Sequence, residues 1–420
     1  MTISQDGVPT FDIDHHEPDW QISRPDQWAV FREDYPVALN SHYGGFWMVS
    51  DYESVATVMR DATGYAHKFE MGGPEGIDLH GVAGIPRHKD LPRMGLSEDD
   101  GVRHNELRRL LNVLFAPRVI EPERAMMRAT ARWFLDQSIA SGAMDLVLDY
   151  TNPVPAVITL RRMGLPVENW RTWAHTIHGL LGFPEGSKEQ AEASRAVVGL
   201  KQEMVDAALQ RRGHPTQDVT SVVANLRCEG ELLTEDQLRS VMWTLTVGGL
   251  NTTTGLVGKA LCFLSANPDH RRTLIERPEL IGSAVEEFLR FYSITQSMSR
   301  TVLKDAELGG CPVRRGDRVM INVLSANHDE AVFERPDEIV LDREENRHLA
   351  FGLGPHRCIG SHVGRIMAQE MLLEILERIP DFTVAADEIV EFSGWPNLGG
   401  LLCAPATFTP ATPAGSPKPF

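Results

Sequence analysis

Phe351-Gly352-Leu353-Gly354-Pro355-His356-Arg357-Cys358-Ile359-Gly360 sets one cysteine between a glycine-bearing loop and an apolar stretch that runs to about Ile379. Glycines at 352, 354 and 360 remove side chains that would keep the backbone away from a large flat ligand. The spacing predicts a helix from about Ile359, whose free N–H groups and positive dipole end face the Cys358 sulfur. Both effects lower a thiol's pKa and favour thiolate, the form that binds metal. A lone cysteine is more often a buried structural thiol. The loop around this one makes little sense as packing, so the sequence points to a ligand.

The run resembles the haem-binding loop of the cytochrome P450 family, in which the cysteine is the axial thiolate of haem iron. Every fixed position of that signature is present. The resemblance implies a mainly α fold, a helical haem-binding domain with a smaller β region. It implies haem b (iron protoporphyrin IX) as cofactor, with Cys358 as the metal ligand and Gly352 beside the ring. Cysteinate ligation pushes electron density to iron and favours O–O cleavage.

Composition sets outer bounds. The net charge of −17, from 41 basic and 58 acidic residues, makes nucleic acid and anionic membrane poor partners. Residues 1–34 are polar and proline-bearing, without an apolar run that would serve as a signal peptide or anchor. Five scattered cysteines (228, 262, 311, 358 and 403) suit a reducing compartment, not a disulfide framework or zinc site. The expectation is a cytoplasmic, monomeric protein of 420 residues forming one domain, with an N-terminal arm at 1–36, the fold proper at about 37–408 and a tail at 409–420. His15 and His16 among Asp12, Asp14 and Glu17 could suggest a metal site, but a solvated arm is the simpler reading.

Further along, Val37–Leu39 and Phe46–Val49 predict a hairpin, followed by a helix from Asp51 to about Arg60. The glycine- and proline-bearing stretch 71–95 reads as a long functional loop; the resemblance makes it the cap of a substrate pocket. Residues 101–115 are helical, with His104 and Arg108 on one face. Residues 122–212 read as mostly helical, broken at Pro153, Pro155, Pro166 and Pro184, with 179–187 joining two helices. By resemblance that joint is the pocket's mobile roof, and His104 and Arg108 match a helix that crosses the haem propionates.

Thr234-Glu235-Asp236-Gln237 is a capping box, and the helix it opens continues to about Leu264. Gly248, Gly249 and the threonines at 252–254 are poor helix interior, predicting a weakened turn halfway along. The run resembles the family's oxygen-activating segment. By that resemblance Thr252 and Asn251 are the catalytic residues: Thr252 hydrogen-bonds dioxygen and its water, while Gly248 and Gly249 leave room. Asn251 departs from the family's acid and cannot exchange a carboxyl proton. The resemblance also brings Arg300 and His356 to the propionates. Thr244, Val247, Gly248, Ile294, Thr295 and Ser297 line the pocket, and Leu398 reaches it from the turn at 394–398. Glu287, Arg290 and Arg343 form a buried, fold-defining charge cluster.

No G-x-G-x-x-G follows a strand, so electrons should come from a separate ferredoxin with its reductase, docking near Arg109, Arg118, Arg357 and Arg365. The function implied is insertion of one oxygen atom from O2 into an apolar terpenoid, fatty or aromatic compound. The Gly-Gly-Leu-x-Thr run is nearest to terpene-hydroxylating members. Two other readings remain open: an NAD(P)H-dependent nitric oxide reductase, some of which carry a neutral residue before the threonine, and a haem-thiolate sensor that does not turn over.

Overall fold

The computed structural model describes residues 2–3, 8–17, 24–73, 76–87 and 91–420. Helices form its bulk. The helix Glu235–Ala266, hereafter the central helix, begins at Thr234, whose side chain accepts the Gln237 N–H while the Gln237 side chain returns the bond. It is apolar on nearly every side, which only a helix surrounded by others tolerates. Its packing partners include Pro153–Met163, Lys188–Arg211, Ile281–Tyr292 and Ser361–Arg378. Pro153 and Pro155 do not break a helix as expected. Pro153 opens one, at the first position, where its missing N–H removes no bond. The roof helices end and restart closer together than expected, at Gly182 and Lys188.

The β region is a mixed sheet in the order Thr2–Ile3, Pro9–Phe11, Val37–Asn40, Phe46–Val49, Arg318–Asn322, Ser297–Val302, Tyr65–Ala66. Val37 pairs with Val49 in the expected antiparallel hairpin. Asp51 caps the helix Tyr52–Arg60 by accepting the Ser54 N–H.

The N-terminal segment is not a solvated arm. Pro9–Phe11 joins the sheet alongside Leu39 and Asn40. Phe11, Trp28 and Phe31 form a satellite core with Phe46, Met48 and Ile85. His15 is buried, and its ring packs on Tyr43 and Phe46. The aromatic side chains of this otherwise polar segment cover a sheet face that would be left wet. The tail is also docked: Ala411 donates to the Ile139 carbonyl, and the Phe420 ring packs on Trp133 and Phe134.

An ion-pair ladder joins Arg124–Ser138 to Ser361–Arg378. Arg124 meets Glu370 at 2.6 Å, and Glu374 accepts from Arg128 at 3.1 Å and Arg132 at 2.8 Å. Three arginines spaced one turn apart thus clamp the helix that follows Cys358.

Candidate active site

Cys358 stands at the end of a tight loop, its N–H donating to the Phe351 carbonyl at 2.8 Å. Gly354 has φ +68°, and a Cβ there would lie 2.8 Å from the Met59 carbonyl oxygen. Only glycine allows the loop this close to the Tyr52–Arg60 helix. The next helix starts at Ser361, slightly later than expected. The Cys358 side chain is exposed, and it opens on a cavity of about 330 Å³.

The opposite wall is the central helix, presenting Thr244, Gly248, Gly249 and Thr252. It is unbroken from Glu235 to Ala266, so the expected weakened turn does not occur. The hydroxyls join the ladder without displacing it: Thr252 Oγ1 donates to the Gly248 carbonyl at 2.9 Å, and Thr254 Oγ1 to that of Leu250 at 3.0 Å. The paired glycines do different jobs. A Cβ on Gly248 would meet nothing within 4 Å, whereas one on Gly249 would strike Thr159 Oγ1 at 2.6 Å. Gly248 therefore opens space in the cavity, and Gly249 lets the Pro153–Met163 helix pack close.

Basic groups gather at the cavity rim. His104, Arg108, Arg300 and His356 all line it, and so does His67, which sequence spacing gave no reason to include. The imidazoles of His67, His356 and His104 stack at 3.5 Å and 3.8 Å between ring centroids. His356 Nε2 lies 3.1 Å from Asp100 Oδ1, so that nitrogen is already engaged by a carboxylate. Burial pushes the Asp100 carboxyl up, and its bonds from His356, Lys68 and His67 outweigh that and hold it below the usual range. His104 is driven down to about 4 by burial, with His356 and Arg108 adding to the effect. It is thus a neutral donor at pH 7. Burial also lowers Arg300, to about 9, leaving it cationic.

Three buried nitrogens here have no partner among the described residues: Arg300 Nε, His67 Nε2 and His104 Nε2. Buried donors are almost always satisfied. One guanidinium nitrogen and two imidazole nitrogens left without acceptors around one cavity call for an anionic guest. The sulfur tells the same story. Burial pushes the Cys358 thiol up, against the Gly360 N–H and the charges of Arg108, Arg357 and Arg365. The expected lowering by the helix start is therefore outweighed, and a coordinated cation is what would hold this sulfur as thiolate. A thiol facing a slot walled by glycine, with anion donors at its edge, fits an iron porphyrin with two carboxylates.

Other expected residues fall elsewhere. Ile294 and Thr295 line the cavity, but Val247, Ser297 and Leu398 do not. Ser297 pairs with Asn322 in the sheet, and Leu398 bridges to Thr295 from behind, so the turn at 394–398 backs the wall without entering it. Of the arginines expected on the docking face, Arg109, Arg118 and Arg357 are exposed. Arg365 is bound to Glu286 at 2.6 Å and 2.7 Å and is not available for docking.

Asn251 does not face the cavity either. It is buried against the Trp170–Gly182 helix, its Nδ2 donating to the Ile177 carbonyl at 3.4 Å and its Oδ1 without a partner. A carboxylate placed there would meet a carbonyl oxygen in a desolvated setting, which raises its pKa. Asn251→Asp is therefore expected to lower stability by about 1–3 kcal/mol at pH 7.5. A raised folded-state pKa means the deficit against the native chain shrinks as the carboxyl protonates in acid. Melting temperatures at pH 7.5 and 5.5 test this; an equal deficit at both would show that the carboxylate finds solvent.

Residues 187–405 match the family model for cytochrome P450. The chain is 30% identical over 369 residues to the mycinamicin IV hydroxylase/epoxidase of Micromonospora griseorubida, covering 86% of this chain and 89% of that one. It is 29% identical over 342 residues to the biotin biosynthesis cytochrome P450 of Bacillus subtilis, covering 81% and 84%. The solved structure of the bacillaene polyketide synthase cytochrome P450 PksS of Bacillus subtilis superposes with a TM-score of 0.82 at 25% identity, covering 94% and 99%.

Proposed function

The chain belongs to the cytochrome P450 family of oxidoreductases, and from that premise we propose that it is a haem b monooxygenase inserting one oxygen atom from O2 into an apolar small molecule. The observation that carries this is that Cys358, Thr252 and Gly248 line one cavity, at whose rim buried nitrogens of Arg300, His67 and His104 have no partner among the described residues. Bound there, the haem would supply dioxygen activation, with cysteinate ligation favouring O–O cleavage. Cys358 would hold its iron, and Arg300, Arg108 and His104 would hold its carboxylates.

The remaining roles belong to the chain's own groups. The Thr252 hydroxyl, now bonded to Gly248, can turn to the cavity and donate there at little loss, since its acceptor also serves the helix ladder. Met94, Leu245, Ile294 and Met298 give the wall its apolar character. No Asp or Glu lines the cavity among the described residues, which supports an uncharged substrate of the terpenoid, fatty or aromatic kind. Electrons from a ferredoxin and its reductase would arrive beside Arg357, with Arg109 and Arg118 exposed to meet an acidic partner. No described helix is long and apolar enough to cross a membrane, and we place the enzyme in the cytoplasm.

The test is whether the purified, reduced holoprotein binds carbon monoxide with the red-shifted Soret band of thiolate ligation. The product formed with reduced ferredoxin under ¹⁸O2 should then carry one labelled atom. A normal carbon monoxide band with no oxygen uptake would favour the sensor reading. NADH oxidation with nitric oxide and no ferredoxin would favour the reductase. A ligand screen on the ferric spin state narrows the substrate.

Thr252→Ala is expected to uncouple turnover. One lost hydrogen bond of about 1.4 kcal/mol is a tenfold change in partition, so product per NADH should fall roughly tenfold while peroxide rises. Unchanged coupling would remove Thr252 from the mechanism.

A further inference from the structure

Behind the cysteine loop lies a second charge cluster, centred on Glu286, the neighbour in sequence of the fold-defining Glu287. Its carboxylate receives both arms of Arg365, Nε at 2.6 Å and Nη2 at 2.7 Å, and lies 3.1 Å from His348 Nε2. His348 Nδ1 accepts the Ala350 N–H at 3.2 Å, so the ring proton sits on Nε2 and is donated to Glu286. Burial pushes the Glu286 carboxyl up, but His348 and Arg365 outweigh it and hold it at about 2, so it is anionic across the working range.

What Glu286 grips in turn grips Phe351. The Arg365 guanidinium lies 4.5 Å over the Phe351 ring, and the His348 ring stands 5.9 Å from it. Phe351 borders the cavity, and its carbonyl accepts the Cys358 N–H at 2.8 Å. A continuous path of contacts therefore runs from Glu286 through Arg365 and Phe351 to the sulfur-bearing residue. Arg365 is also one of the cations whose field reaches the Cys358 sulfur. Its charge there is offset by Glu286, which no other carboxylate contacting Arg365 duplicates among the described residues.

We propose that Glu286 is a positioning residue for the sulfur ligand: through Arg365 and His348 it fixes Phe351, and it neutralises the cation stacked on that ring. The inference rests on the haem-thiolate reading and deepens it. Because potentials near a low-dielectric site respond to any uncompensated charge, the sign of the effect is set by which partner is removed.

The experiment is redox titration of the ferric/ferrous couple in holoprotein carrying Glu286→Gln or Arg365→Gln. Glu286→Gln leaves Arg365 uncompensated, which favours the reduced centre, so the potential should rise. Arg365→Gln leaves Glu286 uncompensated, and the potential should fall. Both should retain less of the red-shifted carbon monoxide band than the native protein, and Glu286→Asp should recover most of it. Glu286 is 27% exposed and Arg365 20%, so both substitutions leave a partner that water can reach. Opposite shifts are a signature that simple loosening of the fold does not produce. Unchanged potentials, or shifts of one sign in both variants, would overturn the proposal. Absence of the thiolate band from the native protein would instead defeat the reading beneath it.

Discussion

Cys358→Ser is expected to abolish the red-shifted Soret band of the reduced carbon monoxide complex and to bring product formation to background, a loss of at least ~10³-fold. The two side chains are nearly isosteric, so the fold should be indifferent. The loop is held by the Cys358 N–H on the Phe351 carbonyl and by Gly354 against Met59, neither of which involves the sulfur. The chemistry is not indifferent. A serine hydroxyl in this position stays protonated and donates little electron density, whereas a thiolate is the soft, polarisable ligand. Arg300, Arg108 and His104 remain in place to hold an anionic cofactor, so the variant should still bind haem while losing the band. A pale variant with no haem would mean the sulfur is what retains the cofactor. A variant with an unaltered band would remove Cys358 as the ligand and take the functional reading with it.

Features written in adjacent residues could be read from the chain alone. The Thr234–Gln237 box opens the central helix where expected. The 37–49 hairpin keeps its register because alternate residues must face one core. The cysteine loop could be read because Gly352 and Gly354 take a left-handed backbone that favours glycine. Orientation was harder. Asn251 and Thr252 are neighbours, yet a helix turns 100° per residue, so one faces the cavity and the other a neighbouring helix. Nothing in the run says which. His67 belongs to the rim only because Tyr65–Ala66 pairs with Thr301–Val302, far away in sequence. The N-terminal segment reads as polar and proline-bearing, and only the assembled sheet supplies the face that its aromatic residues cover. The Arg124, Arg128 and Arg132 ladder has a helical spacing, but its acidic partners lie near the other end of the chain. Long-range pairing of this kind leaves no short-range trace.

Glu287→Ala is expected to be the most destabilising single change, about 3–5 kcal/mol. The carboxylate is completely buried and takes five bonds: Arg290 Nε at 2.9 Å and Nη2 at 2.8 Å, Arg343 Nε at 2.9 Å, Val340 N–H at 2.9 Å and Asn346 Nδ2 at 3.1 Å. Arg290 is itself 0% exposed, so on truncation its Nε would lose its only acceptor with no water to replace it. Its other bonds, to the carbonyls of Asn327, Pro336 and Glu338, would pin the guanidinium in place and prevent it from escaping. Glu374 makes a useful contrast. It too is buried and serves three arginines, but those are 28%, 35% and 15% exposed and can rehydrate, so Glu374→Ala should cost only about 1–2 kcal/mol. Burial pushes the Glu287 carboxyl up, and Arg290 with Arg343 overcomes that and holds it below the usual range. A depressed folded-state pKa gives stability that is fully present above the unfolded glutamate value and is lost as pH falls through the folded one. The gap between native and Glu287→Ala denaturation midpoints should therefore be flat from pH 8 down to about 5 and close only in stronger acid. If Glu287→Ala and Glu374→Ala lowered the midpoint equally, solvent access to the abandoned arginines would not be what sets the cost.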